Sequence, residues 1–245
     1  MIPKIIHYCW LSNDPIPADL QKCMESWKKY LPDYEFMLWN FERFPKSQSK
    51  WVSDAFDNKK YAFAADYIRL YALYNYGGIY LDMDVEILQN IDKFLSLKTM
   101  LCFQNDGGAN TLEVAAFGVE KKSAWIKDCL DSYNSDHFLV LKDGKKSFNE
   151  LTLPVRVRDV LKGKGYNIIP VSTIEQALTL EDDCSIPVFN HTYFSPKSYV
   201  TGRLDLSINT YAIHHFAGSW ETKWTHCKSW IRYHFLFLYK IMRLK

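Results

Sequence analysis

The first apolar run, residues 5–10, is short and continuous, the pattern of a buried strand. Pro15 and Pro17 break it off, and over residues 19–30 Leu20, Met24 and Trp27 recur at helical spacing on one face. After Pro32, residues 34–39 read as a second strand, so the chain opens β-α-β, the start of an α/β fold with a parallel sheet. Residues 59–76 form the strongest helical segment, rich in Ala and Leu and stopped by Gly77-Gly78. A strand is predicted from Ile79 and another over residues 85–88. Further short strands are predicted at 100–103, 114–119, 168–171, 189–193 and 211–215, with helices at 123–133 and 155–161. From Lys223 onward the pattern is that of a basic, aromatic helix. No repeat, low-complexity tract or Gly/Ser linker interrupts the 245 residues. Residues 1–222 therefore read as one domain, with 223–245 as an amphipathic helix packed on it or associated with a membrane.

Composition narrows the function classes. A net charge of +2, with no Lys/Arg cluster beside a nucleic-acid module, argues against a dedicated DNA or RNA binder. The aromatic share of 16% is high enough that rings are available for stacking on sugars or bases as well as for the core. Cys9, Cys23, Cys102, Cys129, Cys184 and Cys227 contain no C-x-x-C pair, which predicts reduced thiols and a cytoplasmic setting. MIPKIIHYCW lacks the apolar run of a signal peptide, and no window of about twenty apolar residues predicts a spanning helix.

The chemistry concentrates in Gly77-Gly78-Ile79-Tyr80-Leu81-Asp82-Met83-Asp84-Val85-Glu86-Ile87. If the strand continued, Asp82 and Asp84 would share one face, where two like charges repel unless a cation offsets them. A divalent metal is the obvious cation, although for D-x-D alone a solvated strand end is the better reading, the pattern being too short to be specific. Asp66 and Arg69, three apart, share a helix face between Ala62-Phe63-Ala64-Ala65 and Leu70-Tyr71-Ala72-Leu73. They are either a surface ion pair or a pair facing a ligand, and the Gly-Gly turn can bring them to the carboxyl edge of the sheet with Asp82. Of His214 and His215, neighbours on a strand, at most one can reach a metal, and imidazole with carboxylates suits Mn²⁺ better than Mg²⁺. Trp10 ends the first strand, as a core ring or as a platform for a planar base.

Taken together, IPKIIHYCW, Trp39-Asn40, KKYAFAADYIRLYALYNYGGIYLDMDVEIL and TYAIHHFAGSW resemble glycosyltransferase family 32, the DXD-motif sugar transferases of capsule and O-antigen clusters. The same core resembles the large clostridial glucosylating toxins. The resemblance runs in order from Ile2 to Trp220 and implies a GT-A fold, a Rossmann-like mixed sheet with flanking helices. It implies a retaining transfer of a hexose from a nucleoside diphosphate donor, a uridine nucleotide favoured, to a saccharide or lipid-linked saccharide acceptor in surface polysaccharide synthesis. By that likeness Trp10 stacks on the base, Asp66 and Arg69 hold donor sugar and phosphates, and Tyr80 lines the nucleotide site. Asp82 contacts ribose and the metal's water shell, Asp84 is the direct ligand of Mn²⁺ or Mg²⁺, and Trp220 closes over the diphosphate. His215 stands for the toxins' third metal ligand, and Ser219 is carried as a donor contact although the toxins' serine position holds Gly218 here.

Two rivals remain. D-x-D-x-V after an apolar strand also fits a haloacid-dehalogenase-like phosphatase, with Asp82 as phosphoryl acceptor, Asp84 as acid/base and Glu181-Asp182-Asp183 as a distal acidic motif. A non-catalytic peripheral membrane scaffold would rest on the aromatic, basic tail. Such a tail also suits an enzyme held at the inner membrane face.

Overall fold

The computed structural model describes residues 1–218 except Ala109, Asp143 and Glu181. The expected C-terminal helix, with Ser219 and Trp220, lies outside the described residues. The elements run β1 (Ile5–Cys9), α1 (Ala18–Tyr30), β2 (Glu35–Trp39), α2 (Lys50–Asp57), α3 (Tyr61–Tyr76), β3 (Gly78–Leu81) and β4 (Val85–Ile87). They continue with β5 (Thr99–Met100), β6 (Ala116–Val119), α4 (Ala124–Asp131), β7 (Leu139–Lys142), β8 (Lys145–Phe148) and α5 (Leu153–Gly163). The last are β9 (Asn167–Val171), α6 (Ile174–Leu178), β10 (Ser185–Phe189) and β11 (Ala212–His214).

The central sheet is mixed, in the order β2-β1-β3-β6-β5. β1 lies parallel to both β2 and β3, while β6 runs antiparallel to β3 and β5. Its two faces are both covered, which is why all four residues of β3 are buried. Tyr80 packs with Ile68, Leu73, Trp125 and Val157 from α3, α4 and α5. Ile79 and Leu81 pack the opposite way, with Leu20 and Trp27 of α1 and with Phe94 and Phe189.

The Gly77-Gly78 turn explains how a 16-residue helix feeds straight into the central strand. Both glycines sit at positive φ, 68° and 104°. A Cβ on Gly77 would lie 2.6 Å from the Lys121 backbone N, and one on Gly78 2.6 Å from the Ile5 carbonyl O. Only glycine meets both demands.

Several expectations shift in detail. The chain does not continue as a strand through Asp82 and Asp84: Val85 N–H donates to the Asp82 carbonyl at 3.0 Å, closing a turn before β4. β4 is held by α1, where Trp27 Nε1 donates to the Val85 carbonyl (2.6 Å) and Ser26 Oγ accepts from Ile87 N–H (2.9 Å). The strand expected over 189–193 instead ends at Phe189, because Tyr193 N–H turns back to the Asn190 carbonyl.

Candidate functional site

β1 and β3 are parallel neighbours, so their carboxyl ends place Trp10 and Asp82 side by side at one edge of the sheet. Open α/β sheets bind ligands at that edge. Here it floors a cleft of about 620 Å³ lined by Trp10, Asp66, Arg69, Tyr80, Asp82 and Asp84. The far wall comes from Gln104, Asp106 and Thr111, from Thr152 and Leu153 at the start of α5, and from His214, Phe216 and Gly218.

Arg69 organises the floor. Its Nη2 stands 3.1 Å from Asp82 Oδ1 and 3.2 Å from Asp66 Oδ1, and its Nη1 donates to Asp82 Oδ2 (3.3 Å) and to the Val114 carbonyl (2.8 Å). Tyr80 lies beneath the guanidinium, 4.4 Å from ring centroid to Cζ, and its hydroxyl donates to Asp82 Oδ1 at 3.0 Å. Tyr80 is 1% exposed, so it acts on the cleft through Asp82 more than by open contact. Burial opposes the charge on Arg69, yet Asp82 and Asp66 hold it firmly protonated. Burial pushes the Asp66 carboxyl up to about 6, against the pull of Arg69, and it raises Asp82 likewise. The helix pair is thus no surface ion pair; both partners face the cleft.

The antiparallel pairing of β11 with β4 sets His214 opposite Val85, next to Asp84. His214 Nε2 lies 3.6 Å from Asp84 Oδ1, and its Nδ1 lies 3.1 Å from Glu113 Oε2. Ligand atoms of Asp82, Asp84 and His214 all fall within 4.8 Å of one another. His215 does not join them: strand neighbours face opposite ways, and its Nε2 pairs with Glu86 Oε2 at 2.9 Å. The expected third ligand therefore moves one residue, from His215 to His214. The segment beyond β11 wraps the same carboxylate, with Ala217 N–H donating to Asp84 Oδ2 at 2.7 Å and Phe216 at φ 52° setting its ring on His214.

Four carboxylates, Asp66, Asp82, Asp84 and Glu113, thus meet two cationic groups, Arg69 and His214. Burial works against a charged His214, but Glu113, then Asp84 and Asp82, hold its pKa up at about 9. Two carboxylates and an imidazole on a net-negative floor fit a divalent cation. Ser219 and Trp220 follow directly after Gly218, outside the described residues. Glu113 escaped the sequence reading; a single carboxylate inside the apolar run Leu112-Glu113-Val114-Ala115-Ala116-Phe117 was the available signal.

The phosphatase constellation does not assemble. Asp183 pairs with Lys98 at 2.6 Å, and Lys98 lies beside Glu120 at the amino end of β3, across the sheet from Asp82.

Residues 17–101 match the family described as "Glycosyltransferase sugar-binding region containing DXD motif". That segment contains Asp66, Arg69, Tyr80, Asp82 and Asp84, but neither Trp10 nor His214. The chain is 39% identical over 98 residues to inositol phosphoceramide mannosyltransferase 3 of Schizosaccharomyces pombe, covering 38% of this chain and 27% of that protein. It is 35% identical over 105 residues to mannosyl phosphorylinositol ceramide synthase SUR1 of Saccharomyces cerevisiae, covering 41% and 27%. The matched region spans about a quarter of the length of these relatives. Among solved structures, the PaToxG glycosyltransferase superposes with a TM-score of 0.49 at 20% identity, over 66% of this chain and 70% of that one.

Proposed function

We propose that the chain is a GT-A glycosyltransferase that moves a hexose from a nucleoside diphosphate donor to a saccharide or lipid-linked acceptor. The observation that carries this reading is the meeting of Asp82, Asp84 and His214 with the Arg69 fork, at the sheet edge where Trp10 stands. The mannosyl names of the relatives make mannose the first donor sugar to test, ahead of the uridine-linked hexose expected from the sequence.

Asp84, Asp82 and His214 would hold a divalent cation, Mn²⁺ before Mg²⁺. When bound, it supplies positive charge for a diphosphate leaving group. Arg69 adds a fixed cation beside it, already ordered by Asp66 and Asp82 so that it need not reorganise as charge builds up. Trp10, half-buried with its Nε1 tied to the Asp14 carbonyl at 2.9 Å, offers a ring face to the base. Asp82 is engaged by Arg69 and Tyr80, and Asp84 would be a ligand of the cation, so neither is assigned as the nucleophile of a covalent sugar intermediate. Retention by front-face attack of the acceptor is the mechanism this arrangement supports.

Peripheral attachment through 223–245 belongs to the same proposal. Among the described residues no helix is long and apolar enough to cross a membrane.

Thermal-shift titration with guanosine and uridine diphosphates, with and without Mn²⁺, followed by donor turnover with the matching nucleotide sugars, tests the assignment. Stabilisation by a nucleoside diphosphate only when Mn²⁺ is present supports it. Phosphate release from simple esters, with no nucleotide response, would return the phosphatase reading.

A further inference from the structure

Glu113 is a carboxylate with 1% of its surface exposed, in a segment otherwise apolar, and the reaction outlined above makes no use of it. Burying such a group is costly unless its hydrogen bonds are met. They are met in a particular way. Oε1 accepts from Ala115 N–H at 2.8 Å, which fixes the side chain against its own backbone, and the Glu113 N–H donates to the Cys102 carbonyl at 2.9 Å. Oε2 is then left facing His214 Nδ1 at 3.1 Å, across 101 residues of sequence.

An ionised carboxylate can only accept, so Nδ1 carries the hydrogen in this contact. The opposite nitrogen, Nε2, points at Asp84, 3.6 Å from Oδ1, and belongs to the cluster whose ligand atoms converge within 4.8 Å. Phe216 presses on the ring with centroids 3.9 Å apart, so rotation is blocked from a third direction.

We propose that Glu113 is a positioning residue for the cation site: it orients the His214 imidazole, selects the tautomer that turns Nε2 to the ion, and strengthens that nitrogen as a donor. Carboxylates behind metal-bound histidines act in this way, and losing one typically weakens metal binding by about 10–100-fold. The inference rests on the reading that Asp82, Asp84 and His214 hold a divalent cation. A carboxylate that merely kept a proton on the imidazole would compete with the metal, so its removal would raise Mn²⁺ affinity or leave it unchanged.

The test is Mn²⁺ binding to the full chain without donor, read from the free-ion signal in electron paramagnetic resonance, with circular dichroism to check folding. Wild type that binds no Mn²⁺, alone or with a nucleoside diphosphate, would overturn the cation reading itself. If wild type binds, Glu113→Gln is expected to lose about 10–100-fold in affinity while keeping its fold. In a His214→Gln background the same change should add nothing further. Equal affinity in wild type and Glu113→Gln, or an undiminished effect in the His214→Gln background, would overturn the role of Glu113. A measurement independent of any variant's folding is ¹⁵N-histidine NMR of the Cd²⁺-loaded wild type. It should show His214 protonated at Nδ1 and metal-bound at Nε2; metal at Nδ1 would overturn the proposal.

Discussion

Arg69 grips Asp82 through both carboxylate oxygens, Nη2 to Oδ1 at 3.1 Å and Nη1 to Oδ2 at 3.3 Å, with the Arg69 side chain 6% exposed. Two parallel contacts of this kind need a planar fork, which lysine lacks. Arg69→Lys should therefore fold but turn over donor far more slowly, because a single ammonium cannot span Asp66, Asp82 and the Val114 carbonyl. Arg69→Ala leaves two half-buried carboxylates without their cation and should lower the urea midpoint. A Lys variant with wild-type turnover would remove the fork from the mechanism.

His7 sits wholly inside the domain, where Trp39 Nε1 donates to its Nδ1 (3.0 Å) and its Nε2–H donates to the Gly77 carbonyl (2.7 Å). Burial pushes its pKa down to about 4, below the usual 6.5. The unfolded chain thus takes up a proton that the folded one refuses as pH falls from about 6.5 to 4. Its contribution to stability is complete above 6.5 and fades through that window, by about 3 kcal/mol in all. Urea midpoints at pH 7 and pH 4 should drop further for wild type than for His7→Gln, which keeps a donor and an acceptor without titrating. Parallel drops in the two proteins would mean that other groups set the acid limit.

The helices and strands around this core were legible wherever the pattern was long and regular. The segment expected at 59–76 is α3, and the β-α-β opening is β1-α1-β2. α2 and the β7–β8 hairpin went unread. α2 is only eight residues, with a Ser49 cap at its start, and the β7–β8 strands are made of half-buried and exposed residues. α2 has an apolar face in Trp51, Val52, Ala55 and Phe56, but it lasts only about two turns, and the hairpin strands bury no alternating side, so local patterning says little about either. The site divides along the same line. Asp66, Arg69, Tyr80, Asp82 and Asp84 fall within nineteen residues and could be read as a group. Glu113 and the choice between His214 and His215 depend on β11 pairing with β4, a contact between segments more than a hundred residues apart.

Trp10 offers a clean measurement of base recognition. Its ring lines the cleft at the end of β1, and the indole Nε1 is tied locally, to the Asp14 carbonyl. Trp10→Ala should weaken nucleoside diphosphate binding by roughly 1–3 kcal/mol, the range of base–aromatic stacking, and Trp10→Phe should recover much of it. Calorimetric titration that finds unchanged affinity in a folded Trp10→Ala protein would return the residue to the core.

The tail carries Trp230, Tyr233, Phe235, Phe237 and Tyr239 among Arg232, Lys240, Arg243 and Lys245. Basic residues near an anionic leaflet contribute about 1 kcal/mol each, and salt screens that attraction. The full chain should co-sediment with anionic but not neutral liposomes, reversibly in high salt, and a truncation after Lys228 should lose this. Indifference of the full chain to anionic vesicles would end the membrane proposal without touching the transferase one.

Asp82 and Asp84 are separated by one residue, yet their partners predict opposite rankings in two measurements. Asp82 is the counter-charge of a buried arginine, while Asp84 is held by one backbone N–H and faces His214 Nε2. Asp84→Asn should therefore abolish Mn²⁺ binding and transfer and cost little stability, since the amide oxygen can still accept from Ala217. Asp82→Asn should leave measurable Mn²⁺ affinity but weaken the fold more, because Arg69 loses a charged bidentate partner and keeps only Asp66 and the Val114 carbonyl. Urea unfolding and Mn²⁺ titration of the two variants, side by side, decide the matter. If Asp82→Asn proves the worse metal binder and the more stable fold, the division of labour between the two carboxylates is the reverse of the one the contacts imply.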